Sequence, residues 1–165
     1  DLLPGVREYV FPVGRLDYDS EGLLLLTNDG ELAARLTHPS HEVPREYHAR
    51  VRGVPDPHAL DRLAGGVTLD GRRTAPARAV LLERGLGQAG DQALVSLTLH
   101  EGRTRQVRRM LEAVGHPVVR LRRVRIGPIA DPLIPLGRYR HLLPEEVDAL
   151  RRAAASTARP RRGEG

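Results

Sequence analysis

The sequence predicts an α+β fold, a mixed and mainly antiparallel sheet with flanking helices, on three observations. Segments with the twofold alternation of strands are interspersed with segments of helical spacing. They do not follow the regular strand–helix–strand order that builds a parallel sheet. Several strand-like segments also lie close enough in sequence to pair as hairpins or meanders. A chain of 165 residues suffices for one core, since domains cluster near ~100–150 residues. One domain is therefore expected over residues 1–155, with 156–165 (Arg159-Pro160-Arg161-Arg162-Gly163 at its centre) as a flexible basic tail.

The first element is the apolar run Gly22 to Thr27, which reads as a strand buried on both faces and ends in the turn residues Asn28-Asp29-Gly30. Glu31 to Thr37 reads as a short helix that stops before His38-Pro39. Tyr47 to Val54 alternates, with Tyr47, Ala49 and Val51 on one face and His48, Arg50 and Arg52 on the other, as in a half-buried strand. Asp56-Pro57, Leu60, Leu63 and Gly65-Gly66 supply the cap, first-turn proline, apolar stripe and terminating glycine of a helix.

Strands are expected at Ala75 to Leu82 and Leu94 to His100, the latter with Val95, Leu97 and Leu99 on one face. Val107, Met110, Leu111 and Val114 then follow the i, i+3, i+4, i+7 pattern of a helix over Thr104 to Val114. From Val118 to Ile126 the apolar phase switches between Leu121 and Val124, which predicts a strand with a bulge or bend. A last helix is expected from Pro144 to about Ala154.

Cysteine is absent, so no disulfide supports the fold. No apolar run approaches the ~20 residues of a membrane span, and the first residues lack the pattern of a signal peptide. A cytoplasmic monomer is expected. The formal charge is +5 and the pI about 10.5, which points to a polyanionic partner. All 26 basic residues are arginine. A genome rich in G and C produces such a bias, but its chemical consequence stands: Schiff-base, P-loop and general-base lysines are excluded.

Two clusters could carry chemistry. Gly14 to Gly22 crowds Asp17, Asp19 and Glu21 with Arg15 just before the first strand. Its spacing matches the opening of a calcium-binding loop, but position twelve is Asn28 instead of Glu and the flanks are not helical. An aspartate-nucleophile phosphatase would need a lysine to balance phosphate charge, and a solvated acidic turn is the bland alternative. The second cluster holds Arg103, Arg105, Arg108, Arg109, Arg120, Arg122, Arg123 and Arg125 against one acid, Glu112. Solvated faces usually mix their signs, so phosphate contacts explain this block better. One Phe and four Tyr are too few for an aromatic stacking platform. The seven histidines show no metal-ligand spacing, and no metal is expected.

The run Phe11 to Gly30, centred on Gly14-Arg15-Leu16-Asp17-Tyr18-Asp19-Ser20-Glu21-Gly22, closely resembles the catalytic motif of the RsuA/RluB/RluE/RluF family of ribosomal RNA pseudouridine synthases. Three further segments agree in order: Pro44-Arg45-Glu46-Tyr47, Glu101-Gly102-Arg103-Thr104-Arg105-Gln106-Val107-Arg108-Arg109-Met110, and Leu136-Gly137-Arg138-Tyr139-Arg140 continuing through Glu146. The resemblance implies the pseudouridine synthase catalytic fold with a central RNA-binding cleft. It further implies Asp17 as the catalytic carboxylate, Tyr47 as the ring against the uracil and Arg108 as the basic partner of the Asp.

The implied reaction breaks the uridine C1′–N1 bond, rotates the base and rejoins it through C5 without a cofactor; attack by the Asp on base or on sugar both fit. Arg15, Arg103, Arg105, Arg109, Arg122 and Arg123 are the candidate RNA contacts. The segments are most RluB-like, which implies ribosomal RNA as partner and the large-subunit 23S RNA as substrate, with small-subunit 16S RNA as the alternative. Family members usually carry an S4-like domain and a first catalytic strand ahead of this point, so a fragment is expected. Arg45 stands where the family usually has Lys.

Helical phase supports the choice of Arg108. At about 100° per residue, Arg105 and Arg109 fall nearly opposite the apolar face and Arg108 on its flank, facing a semi-buried cleft. The opposing hypothesis is a non-catalytic RNA-binding or ribosome-assembly module. Such a module has no need of a carboxylate amid its phosphate contacts.

Overall fold

The computed structural model describes residues 3–38, 43–130 and 134–156. The expected α+β class is found. Its central sheet is formed by β4 (Arg45–Arg52), β7 (Arg78–Leu86), β8 (Gln92–Leu99), β9 (Val118–Ile126) and β10 (Ile129–Ala130) in the order β10-β9-β4-β8-β7, every pair antiparallel. The two-residue strand β2 (Glu21–Gly22) joins β9 in parallel and makes the sheet mixed. β1 (Phe11–Val13) and β3 (Leu25–Thr27) form a separate antiparallel pair, and β5 (Thr68–Leu69) and β6 (Arg72–Arg73) another. The helices are α1 (Gly30–Thr37), α2 (Pro57–Gly65), α3 (Gln106–Ala113) and α4 (Pro144–Ser156).

Local chemistry accounts for the helix boundaries. Asp29 caps α1 by accepting from the Leu32 amide, and Asp56 caps α2 by accepting from the Ala59 amide, followed by Pro57. The α2 helix ends at Gly66, whose φ of 109° is open to glycine but costly for other residues. The main core packs α2 and α3 against one face of the sheet through Leu63, Met110 and Leu111, all fully buried with Val51, Val95 and Leu97. A second core joins α1 and α4 through Leu32, Leu36, Val43, Ile129 and Leu150.

The bulge expected in β9 is present. Glu46 faces Arg125 while Tyr47 faces Arg123, so Val124 is the extra residue, and a second shift occurs between Arg50 and Val51. Leu121, Arg123 and Ile126 are consequently the buried positions of this stretch. Phase had marked the bulge; it had not marked that an arginine would share the inward face.

Three expectations need correction. Gly22 to Thr27 is not one buried strand: the chain leaves the central sheet after Gly22, forms β3 in the separate pair with β1, and leaves Leu24 and Leu26 exposed. The reason is Gly22, at φ 114°, which turns the chain across β9. The segment expected at Ala75 to Leu82 is β7, shifted to Arg78–Leu86 because pairing with β8 extends it past the apolar run. The β5–β6 hairpin was overlooked although its Asp70-Gly71 turn, both residues at positive φ, is a strong hairpin signal. The basic tail from residue 157 onward lies outside the described residues.

Gly22 ties fold to site. A Cβ there would lie 2.1 Å from the Arg123 carbonyl oxygen and 2.5 Å from its amide nitrogen, both backbone atoms. Gly22→Ala is therefore expected to cost at least about 2 kcal/mol of stability, from positive-φ strain and from the clash together. Urea denaturation checks this; an unchanged midpoint would show that β2 does not dock on β9 in this way.

Candidate active site

Three stretches of chain meet over the end of the central sheet. The loop after β1 carries Arg15 and Asp17, the start of β4 carries Arg45 and Tyr47, and the loop before α3 carries Arg103 and Arg105. With Arg123 of β9 they line a cavity of about 620 Å³, within the ~300–1,000 Å³ usual for small-ligand sites. Period-2 geometry puts Tyr47 on the same face as the buried Ala49 and Val51, at the point where core gives way to cavity. Asp17 opens a tight turn in which the Ser20 amide donates to its carbonyl at 2.9 Å, and its side chain is half-buried.

The loop before α3 is held rigidly. The Glu101 carboxylate accepts from the Ala75 amide and from Gln106 Nε2, both at 2.8 Å, and Gln106 Oε1 accepts from the Arg103 amide. Gln106 is itself buried. Loops on such scaffolds are where function concentrates.

The acidic loop is clamped from the other side. Both terminal nitrogens of Arg105 donate to the two carboxylate oxygens of Asp19, at 2.9 and 2.8 Å, and Arg105 stacks 5.8 Å from the Tyr18 ring centroid. Arg108 donates to the Asp19 carbonyl at 2.7 Å. These contacts hold the Asp19 carboxyl below the usual carboxylate range, the Arg105 hydrogen bond being the largest cause. Arg105 in turn holds its proton more tightly, chiefly through Asp19 and to a smaller extent through Asp17. Arg120 pairs with Glu21 and lowers the proton affinity of that carboxyl as well.

Of the residues singled out from sequence, Asp17, Tyr47, Arg15, Arg103, Arg105 and Arg123 share the cavity. Arg108 does not line it; it approaches the acidic loop from the helix flank, as phase requires, but meets Asp19 instead of Asp17. Arg109 pairs with Asp70 at 2.8 Å. Arg122 sits on β9 opposite His48, on the other face of the sheet from Tyr47. Arg103 directs its guanidinium to the backbone carbonyls of Arg72 and Arg73.

Arg105 departs from its helical phase because it is not in the helix. It is the residue before α3, at φ 52° and ψ 33°, so 100° spacing does not place it. Asp19 and Glu101 were overlooked as structural hubs: the arginine partners of Asp19 lie 86 and 89 residues away, and Glu101 joins nearby Gln106 to the distant Ala75 amide. Among the described residues, no group of three or more His, Cys, Asp or Glu could hold a metal ion, and no helix is long and apolar enough to cross a membrane.

Fold and site define an α+β domain whose cleft is lined by Asp17, Glu101 and the Tyr47 ring among arginines. Residues 2–113 match the family described as RNA pseudouridylate synthase, and the chain belongs to that family. It is 44% identical over 154 residues to the ribosomal large subunit pseudouridine synthase B of Bacillus subtilis (strain 168), covering 93% of this chain and 62% of that protein. It is 42% identical over 147 residues to the ribosomal large subunit pseudouridine synthase E of Xanthomonas campestris pv. campestris, covering 82% of this chain and 79% of that one. A crystal structure of a pseudouridylate synthase superposes with a TM-score of 0.77 at 35% identity, over 86% of this chain and 59% of that one. The human RNA Pseudouridylate Synthase Domain Containing 1 shares the fold, with a TM-score of 0.60 at 20% identity. The chain thus spans less than two thirds of the Bacillus relative.

The clamp makes a prediction with a defined pH sign. A carboxyl whose folded pKa is depressed stabilises the fold above its unfolded pKa, and this contribution is lost as pH falls through the folded value. The Asp19–Arg105 pair should therefore stay intact across neutral pH and release only in strong acid. Asp19→Asn and Arg105→Gln should each speed amide exchange over residues 15–20 at pH 7, and the double variant should add little to either. Additive acceleration would refute a shared clamp.

Proposed function

We propose that this chain isomerises a specific uridine of ribosomal RNA to pseudouridine, with Asp17 as the essential carboxylate. The observation that carries this reading is the meeting of Asp17 and Tyr47 in one arginine-walled cavity, although 30 positions separate them in sequence. A uridine taken out of its stack loses base–base contacts, and the Tyr47 ring supplies a replacement surface. The guanidiniums of Arg105 and Arg123 line the same cavity as Asp17.

The names of the B- and E-type relatives support large-subunit 23S RNA as substrate, and action on ribosomal RNA would fit a cytoplasmic location. Residues 1–155 form the catalytic unit in this reading. Arg108 acts on Asp17 through the loop: by holding the Asp19 carbonyl it fixes the turn that Asp17 opens. Exposed guanidiniums, Arg15 foremost, contact the RNA backbone.

Asp17→Asn is nearly isosteric and removes only a charge, so folding and RNA binding should persist. Pseudouridine formation at saturating RNA should fall by about 10³-fold or more. Near-normal turnover would remove Asp17 from the chemistry and leave an RNA-binding module. Affinity for a single-stranded target should decline with salt at a log–log slope of about −0.7 per phosphate contact; a flat response measured by filter binding would exclude an arginine footprint.

A further inference from the structure

Tyr18 follows Asp17 in the acidic loop and is 95% exposed. It is a central residue of the turn that the Ser20 amide closes onto the Asp17 carbonyl at 2.9 Å, a place where small and polar residues are the rule. Folding buries almost none of its ring, so the core gains nothing from it. Isolated exposed apolar side chains are ordinary; this one is set apart by its position and its neighbour.

The neighbour is Arg105. Its guanidinium carbon lies 5.8 Å from the Tyr18 ring centroid, and both its terminal nitrogens are held by the Asp19 carboxylate. Arg105 and Asp17 line the cavity, whereas Tyr18 does not. The ring therefore stands on the rim, backed on one side by a pinned cation and open on the other. It is placed for what lies outside the cavity, not for a base within it.

A polynucleotide that sends one base into the cavity must lay the adjoining nucleotides across this rim, because the strand is continuous. Extruding the target also strips its flanking base of a stacking partner. An aromatic ring replaces that lost surface for any of the four bases, since each has a π-face. The guanidiniums of Arg15 and Arg105 on the same edge add attraction for the phosphates beside that base. One ring does not make a stacking platform, but it suffices for a single base.

We propose that Tyr18 is a further substrate-binding residue, its ring stacking on the RNA base next to the target uridine and so fixing the strand as the uridine enters the cavity. The proposal rests on the pseudouridine synthase reading of the site and adds to it a contact outside the cavity. Its signature is in affinity, not in the chemical step.

The test uses the full chain and begins with mapping the uridine that wild-type protein modifies in transcripts of 23S and 16S RNA. Short RNAs centred on that uridine are then made intact, or abasic at the position 5′ or 3′ to it. Filter binding gives affinity for each, and single-turnover pseudouridine formation at saturating RNA gives the chemical step. Tyr18→Ala is expected to weaken binding of intact RNA by about 5- to 150-fold, the loss that removing one aromatic–base stack produces. The rate at saturation should change by less than about threefold. Tyr18→Phe and Tyr18→Trp should bind like wild type, and Tyr18→Leu like Tyr18→Ala. On one of the two abasic RNAs, Tyr18→Ala should cause no further loss, because the base it served is already gone.

Contact with RNA is told apart from holding the loop by amide exchange over residues 15–20, which Tyr18→Ala should leave unchanged and Asp19→Asn should speed. Wild-type affinity in Tyr18→Ala, full affinity in Tyr18→Leu, losses that add on both abasic RNAs, or faster exchange in Tyr18→Ala would each overturn the proposal. Wild-type protein that forms no pseudouridine on either transcript overturns the reading beneath it instead.

Discussion

The site depends on a short parallel junction between Gly22–Leu23 and Arg123. The Leu23 amide donates to the Arg123 carbonyl at 2.9 Å, and the Arg123 side chain returns a bond to the Leu23 carbonyl. A third contact reaches back to Arg15. One residue of β9 thereby holds both ends of the acidic loop against the sheet. A planar guanidinium can do this because its donors diverge in fixed directions, whereas an ammonium offers one point of charge. Gly22 is the complement: without a Cβ, its backbone can lie against that of Arg123.

Around this junction the protein balances its own charges. The arginine block between residues 103 and 125 carries a large positive excess in sequence, yet much of it is used internally. Arg105 and Arg108 grip Asp19, Arg109 meets Asp70, Arg120 meets Glu21, and Arg103 reaches carbonyls of β6. Such half-exposed pairs contribute little stability singly. Their effect is positional, because several of them converge on one loop of about six residues. What remains for the proposed RNA substrate is the overall charge of +5 and the guanidiniums at the cavity rim.

The two walls of the cavity differ in stiffness. On one side, the floor is sheet and the loop before α3 is fixed by buried Gln106 and by Glu101. On the other, the Asp17 loop is exposed at Tyr18 and is held by ion pairs and the β9 junction. Chemistry that needs a fixed base and an admitted substrate is served by one rigid wall and one that is clamped only by polar contacts.

Sequence alone determined the fold class and, to within about two residues at each end, helices over 31–37, from Pro57 to Gly65 and over 104–114, strands over 47–54 and 94–100, and the bulge in β9, because each is written in local periodicity, caps and turn residues. It also singled out Asp17 and Tyr47, through motif resemblance. Tertiary structure alone decided that the apolar run after Gly22 divides between two sheets and that Asp19 gathers Arg105 and Arg108. It alone placed Arg123 inside, among an Asp, a Tyr and two backbone carbonyls. The reason is range: periodicity reports which face a residue is on, while the partner of a charge lies on a segment about 90 to 100 residues away, and only packing brings the two together.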